Sequence, residues 1–342
     1  LAGVTIPDSV TSIGDYAFRY CNALNSLTIG KSVTSIGTGA FDNCPNVTTL
    51  HYNAKNLTTT RDWYGNSNTY GFRPMSLQTL VIGDSVESIP SGAFYGQSGI
   101  ASLTIPESVN SIGDKAFDGC SSVTTLYFNA KSLSVNGSWS SSPTYGFKTM
   151  PIQTLVVGDS VRMLPEYVFC RLNHLTNVTL PESLTTIGSN AFYNDSTLSS
   201  ISLPNSLTTI GKSAFLLCSG LENLTLPNSV TTIGNYAFYH CHSLRSVSFD
   251  NSLTSIGEYA FADCDSLDNV NIPNSVNNIG NNAFEGVKTV IYCGNATDSP
   301  WGAEWAGCFY VDGDFVFADN TMTTLVGYIG AGGRVTIPNT VT

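Results

Sequence analysis

The feature that most constrains the fold is a short apolar phrase that returns about every 23 residues along the chain. The phrase reads LTIP or a close variant, and only two steps are long, at 30 residues (Tyr52 to Ile82) and 29 residues (Phe128 to Val157). In most copies the last apolar residue of the phrase is followed by Pro or Gly. The residues in this position are Ile6, Ile29, Tyr52, Ile82, Ile105, Phe128, Val157, Leu180, Leu203, Leu226, Phe249 and Ile272, and a shortened copy ends at Tyr292. A dozen copies in register indicate a solenoid, because one unit cannot bury its apolar face alone and its neighbours must stack on it.

Each unit divides into three parts. Alternating apolar residues such as Leu224 and Leu226 predict a strand with one buried face, which ends at Pro227 because proline cannot donate to a ladder. Ile233 points inward from a second, short extended piece, and Ala237–Phe238 begins a predicted helical turn. We therefore predict an α/β solenoid: a curved array with one parallel β-sheet on its concave face and short helical turns on the other faces.

Composition narrows the possible partners. Charged residues are 11% of the chain, against about 25% in typical globular proteins. The net charge is −11 and no basic stripe is present, which argues against nucleic acid and anionic membranes as partners. No apolar run approaches the roughly 20 residues that a membrane span requires, so we expect no membrane insertion within this chain.

The phrase LTIPxSVTxIGxxAFxxC resembles the BspA-like leucine-rich repeats of bacterial and protist surface proteins, over about residues 1–292. This resemblance implies a leucine-rich-repeat array that is secreted or attached to the cell surface and that serves adhesion or protein binding. It implies no catalytic residues, so none are assigned.

Residues 293–342 leave the repeat. Cys308–Phe317 and Thr323–Ile329 are predicted as two alternating strands of a β-hairpin, joined through Asp319 and Asn320. We expect 293–334 to be a non-repeat hairpin spacer or cap, and 335–342 to start a further repeat. Because the chain begins and ends within the motif, we expect a fragment of a longer protein whose signal and anchor lie elsewhere.

The two long steps are copies of each other and indicate bulged units at about 50–76 and 126–151. Phe72 and Phe147 occupy the core Phe position and Met75 and Met150 follow in the next core position, so the extra length must lie before them. The bulges carry three aromatic residues, Trp63, Tyr64 and Trp139. Such residues are candidates for binding, since Trp and Tyr are enriched at interfaces. Equally, a Trp that folds back to cover its own unit fits the pattern.

The outward strand positions provide further candidates. Most hold Thr or Ser, which offer weak contacts, but His51, Val81, Tyr127 and Val156 break that pattern. All four flank the bulged units, so we expect any ligand site between residues 50 and 157. The alternative is a duplicated block whose irregularities arose together and serve no ligand.

The cysteines and histidines suggest no chemistry. Six cysteines share one position three residues after the core Phe, where a small apolar thiol fills the core: Cys21, Cys44, Cys120, Cys218, Cys241 and Cys264. Cys293 and Cys308 lie outside the repeats, and a disulfide between them is left open. The His240-Cys241-His242 run cannot direct three consecutive side chains at one tetrahedral ion, so we expect no metal and no cofactor.

We therefore expect an extracellular module without catalytic activity, a monomer whose partner is a protein on a host or cell surface. Two alternatives remain. One is a structural spacer that presents another domain, and the other is a carbohydrate-binding surface that uses Trp63 and Trp139 as stacking platforms.

Overall fold

The computed structural model describes residues 2–60, 72, 75–133, 147–292, 294–296, 301–307, 310–312, 315–317 and 325–328. In chain order its strands are β1 (Gly3–Thr5), β2 (Ser12–Ile13), β3 (Ser26–Ile29), β4 (Ser35–Ile36), β5 (Thr49–Tyr52), β6 (Thr59–Thr60), β7 (Thr79–Ile82), β8 (Ser88–Ile89), β9 (Ser102–Ile105), β10 (Ser111–Ile112), β11 (Thr125–Phe128), β12 (Thr154–Val157), β13 (Met163–Leu164), β14 (Asn177–Thr179), β15 (Thr186–Ile187), β16 (Thr209–Ile210), β17 (Asn223–Thr225), β18 (Thr232–Ile233), β19 (Ser246–Ser248), β20 (Ser255–Ile256), β21 (Asn269–Ile272), β22 (Asn278–Ile279), β23 (Thr289–Tyr292), β24 (Trp305–Gly307), β25 (Tyr310–Asp312), β26 (Phe315–Phe317) and β27 (Leu325–Tyr328).

The strands up to β24 stack in parallel, one unit beside the next, as a solenoid requires. The long strands pair in four groups, β1-β3-β5-β7, β9-β11-β12-β14, β17-β19 and β21-β23-β24. The short extended pieces also pair, in the groups β2-β4-β6, β8-β10 and β13-β15-β16-β18-β20-β22. The prediction of one parallel sheet was therefore too simple, because the second extended piece of each unit forms parallel ladders of its own.

The breaks between the groups of long strands follow the prolines. In an unbroken ladder the residue after the strand donates its N–H to the preceding unit, as Gly83 does to the Tyr52 carbonyl at 2.8 Å. Proline has no N–H to give. Among the strands that the structure describes, the units that carry Pro106, Pro204, Pro227 and Pro273 do not pair with the preceding long strand. The unit of Pro181 is an exception, because β14 pairs with β12 over three residues.

The predicted helical turns were wrong, since the described residues contain no helix. An α-helix needs each N–H to bond four residues back within its own segment. Here every second amide instead bonds to the next unit, as Phe238 N–H does to the Ala260 carbonyl at 2.8 Å. The amides between them bond three residues back, as Tyr239 does to Tyr236 at 3.2 Å. Tyr236 and His240 also have φ of 59°, in the left-handed region that no α-helix contains.

The core is built around a column of aromatic rings, as the 23-residue period predicts. Neighbouring rings lie 5.1–6.0 Å apart between centroids from Phe18 to Phe147 and again from Phe169 to Phe284. The column consists of Phe18, Phe41, Phe72, Phe94, Phe117 and Phe147, followed by Phe169, Phe192, Phe215, Phe238, Phe261 and Phe284. All are buried except Phe18, which is partly exposed in the first unit. Met75 and Met150 are buried too, so the assignment of these bulge-end residues to the core is confirmed.

The seven described cysteines are free thiols. From Cys44 onward, each Cys that lies three residues after a core Phe donates to the Phe carbonyl of the preceding unit, as Cys218 does to Phe192 at 3.1 Å and Cys241 does to Phe215 at 3.3 Å. Cys293 and Cys308 lie outside the described residues.

The C-terminal part is an antiparallel meander. β26 pairs with β27, which is the hairpin that the sequence predicts. However, Cys308–Phe317, predicted as one strand, contains two strands that pair with each other, β25 and β26. The parallel long strands also continue past Tyr292, because β24 pairs with β23 and Trp301 packs edge-on against the Tyr292 ring.

Candidate functional site

The four irregular strand positions lie on neighbouring long strands. In register, His51 stands beside Val81, and Tyr127 stands beside Val156. Thr104 on β9 stands beside Tyr127 and between the two pairs. We call these five residues the strand-face patch. Five strands at about 4.8 Å spacing extend over roughly 20 Å.

Alternation along each strand exposes the patch. On β7 and β11 the neighbours Leu80, Ile82, Leu126 and Phe128 are buried, so the residues between them face outward. Val81 and Tyr127 are 41% and 42% exposed. His51 and Val156 are half-buried. The other large apolar side chains that the described part of the chain exposes are Tyr16, Tyr20 and Met163.

The bulge aromatics Trp63, Tyr64 and Trp139 lie outside the described residues. The chain before the first bulge is described up to Thr60 of β6, a short strand, and Phe72 follows in the aromatic column. The second bulge is flanked by Leu133 and Phe147, which are both buried. None of these flanking residues lies on a long strand, so the predicted binding residues that the structure describes are those of the strand-face patch.

The His240-Cys241-His242 run is split between the core and the surface. The Cys241 thiol is buried, and burial raises its pKa well above the usual range. Each flanking histidine lies outside, against an aspartate of the next unit: His240 Nδ1 is 3.5 Å from Asp263 Oδ2, and His242 Nδ1 is 2.8 Å from Asp265 Oδ2. Among the residues that the structure describes, no three potential ligands converge on one point.

A groove of about 680 Å³, which sequence reasoning missed, adjoins the strand-face patch. We call it the Pro106 groove. It is lined by Ile82, Asp84, Thr104, Pro106, Glu107, Ser108, Asn129 and Lys131. It shares Thr104 with the patch and lies at the break between β7 and β9. The signal for it in the sequence is Pro106, since the corresponding residues of the neighbouring units, Gly83 and Asn129, keep their amides.

The charges in the groove are unequal. Lys131 forms an ion pair with Glu107. The hydrogen bond from that ammonium lowers the pKa of the Glu107 carboxyl. Both side chains are about half exposed, so this pair contributes little to stability. Asp84 has no ion-pair partner among the described residues.

A family model described as a BspA type leucine rich repeat region matches the chain in six copies, over residues 1–69, 65–141, 140–249 and 187–292. A comparison with curated proteins finds no match.

Several solved structures are similar to the chain. A leucine rich cell surface protein from Faecalibacterium prausnitzii is 27% identical over 89% of this chain and 81% of that one, with a TM-score of 0.40. A leucine-rich repeat protein from Bacteroides ovatus is 22% identical over 84% and 86%, with a TM-score of 0.45. A leucine-rich repeat protein from T. pallidum is 27% identical over 54% and 76%, with a TM-score of 0.41. Since all three TM-scores lie below 0.5, family membership rests on the family model.

Proposed function

The chain belongs to the BspA-type leucine-rich-repeat family, and from that premise we propose that it is a protein-binding or adhesion module of the cell exterior. It acts without catalysis, and its strand-face patch contacts a protein on another surface. The observation that carries the proposal is the pair Val81 and Tyr127, two exposed apolar side chains on either side of Thr104.

Physical chemistry favours this surface for binding. Tyr127 joins a large apolar ring to a hydroxyl, and such residues dominate the binding energy of interfaces. Its strand is fixed by pairing on both sides, to β9 and to β12, so little entropy is lost when a partner contacts it. The equivalent residues of later units, such as Thr225 and Ser248, are small hydroxyl residues that offer less contact area.

The test is adherence of beads coated with the purified chain to cultured epithelial cells. We expect Tyr127→Ser to reduce adherence about tenfold or more, which corresponds to about 1.4 kcal/mol. Thr225→Ser, at the same strand position in a later unit, is the matched control and keeps adherence unchanged. Circular dichroism verifies that both variants fold.

Two further treatments separate the partner classes. Mild trypsin treatment of the cells removes adherence if the partner is a protein, whereas enzymatic removal of surface glycans leaves it intact. Adherence that survives in a folded Tyr127→Ser variant contradicts the patch. No adherence by the wild-type chain supports a structural spacer instead, and loss on glycan removal alone supports a carbohydrate-binding surface.

A further inference from the structure

The Pro106 groove contains a backbone carbonyl that the ladder does not satisfy. In the next two units along the chain, the residue after the strand bonds to the preceding unit, with Asn129 N–H at 2.9 Å from the Ile105 carbonyl and Gly158 N–H at 2.9 Å from the Phe128 carbonyl. Pro106 stands in that position opposite Ile82 and has no N–H to donate. Within the described residues the Ile82 carbonyl therefore has no ladder partner and can accept from a ligand.

A hydroxyl in the groove is also left without its usual bond. In several later units the corresponding serine donates to a carbonyl of the preceding unit, as Ser206 does to Leu184 at 2.7 Å and Ser275 does to Leu253 at 2.7 Å, although Ser160 is an exception. Ser108 Oγ is buried and has no hydrogen-bond partner among the described residues. Two oxygens of the groove, the Ile82 carbonyl and the Ser108 hydroxyl, therefore lack their usual bonds within the described residues.

The charge balance of the groove favours a monovalent cation. Lys131 neutralises Glu107, which leaves Asp84 as the unpaired charge among the described lining residues. A calcium site usually takes six to eight oxygens with several carboxylates, more than one unpaired carboxylate supplies. A guanidinium or ammonium group on a side chain carries one charge and several N–H donors, which match one carboxylate and neutral oxygens.

We propose that the Pro106 groove takes a lysine or arginine side chain from the protein ligand that contacts the strand-face patch. This inference rests on the proposed function, and it assigns the ligand a basic residue next to an apolar contact. Thr104 belongs to both surfaces, so one segment of the ligand reaches Tyr127 and the groove together. A ligand with a basic contact also complements a chain whose net charge is −11.

The test uses three blocked tripeptides in which the central residue is arginine, lysine or citrulline, and binding is followed by saturation-transfer NMR. Citrulline has the shape of arginine without its charge. We expect the arginine and lysine peptides to bind weakly and the citrulline peptide to bind less. Asp84→Asn should weaken the binding of the arginine peptide about two- to fivefold, as loss of an exposed ion pair would. Asp159→Asn removes the aspartate after Gly158, which corresponds to Asp84 after Gly83, and serves as the control.

The outcomes separate this inference from the proposed function. Equal binding of the arginine and citrulline peptides, equal effects of Asp84→Asn and Asp159→Asn, or displacement of the peptide by calcium would overturn the groove assignment. Tyr127→Ser should leave peptide binding unchanged, because the ring does not line the groove. If that variant also leaves cell adherence unchanged while the arginine peptide still depends on Asp84, the proposed function fails and the groove remains a cation site.

Discussion

Asp195 occupies the core position that holds a thiol in six of the twelve units, and it offers a sharp test of the packing. The side chain is buried. Its Oδ1 accepts from the Leu172 N–H at 2.7 Å, but Oδ2 has no partner among the described residues. Burial raises the pKa of this carboxyl well above its usual range, and bonds from backbone amides offset only part of that effect. The core therefore favours the protonated, uncharged carboxyl.

The neighbouring units indicate which group can accept a hydrogen bond from the protonated Asp195 carboxyl. Cys218 and Gln97, in the same position, donate to the Phe192 and Phe72 carbonyls of their preceding units, at 3.1 and 2.8 Å. The equivalent acceptor for Asp195 is the Phe169 carbonyl. A protonated Asp195 can donate to it, whereas an ionised one cannot, because a carboxylate only accepts.

The sign of the pH effect follows from the raised pKa. A carboxyl with a raised pKa makes its full contribution to the free energy of unfolding below the pKa of the unfolded side chain, about 3.9. That contribution is lost as the pH rises through the pKa of the folded state. Asp195→Asn keeps the shape and removes the titration. At about pH 8 we expect this variant to raise the free energy of unfolding by about 1–3 kcal/mol, the usual cost of a buried polar group left without a partner. The gain should shrink as the pH is lowered.

Urea unfolding followed by circular dichroism, for wild type and Asp195→Asn across this pH range, measures the difference. Asp195→Cys introduces the residue that six other units hold in this position and should show the same trend. A difference between wild type and Asp195→Asn that does not change with pH would refute the reasoning, since it would mean that the wild-type carboxyl titrates alike in the folded and unfolded states.

Two further predictions concern other buried polar groups. Tyr52→Phe should raise the free energy of unfolding by about 1 kcal/mol in the same urea assay, because the buried hydroxyl has no partner among the described residues. Phe128 fills the equivalent position of another unit, and a loss of stability in the variant would contradict the prediction. The thiols of Cys218, Cys241 and Cys264 should react with iodoacetamide only after denaturation, as read by mass spectrometry. Burial raises their pKa (to about 12 for Cys264) and so suppresses the reactive thiolate. Labelling of these thiols in the folded chain would contradict the prediction.

The repeat period predicts which residues of neighbouring units lie beside each other, but little about the local backbone conformation. Residues one period apart stack, so the aromatic column and the pairing of Tyr127 with Val156 follow from spacing. The helical turn around Phe238 was predicted from a local pattern that does not reveal where the amides bond. A signal was present nonetheless. Gly92 and Gly96 have positive φ at the two positions that Tyr236 and His240 occupy, and paired glycines four residues apart do not favour a helix.

The position of the candidate surface follows from which residue succeeds each strand. In the block that contains the patch, Asn53, Gly83, Asn129 and Gly158 each supply the amide that joins their strand to the preceding unit. These ladders hold His51 beside Val81 and Tyr127 beside Val156. Pro106 interrupts the same block, and the carbonyl it leaves unbonded lies in a groove next to Thr104. Whether the residue after a strand has an amide N–H therefore decides whether that strand joins the rigid contact surface or borders the polar groove. Spacing alone does not reveal this difference, because the period is 23 residues on both sides of Pro106.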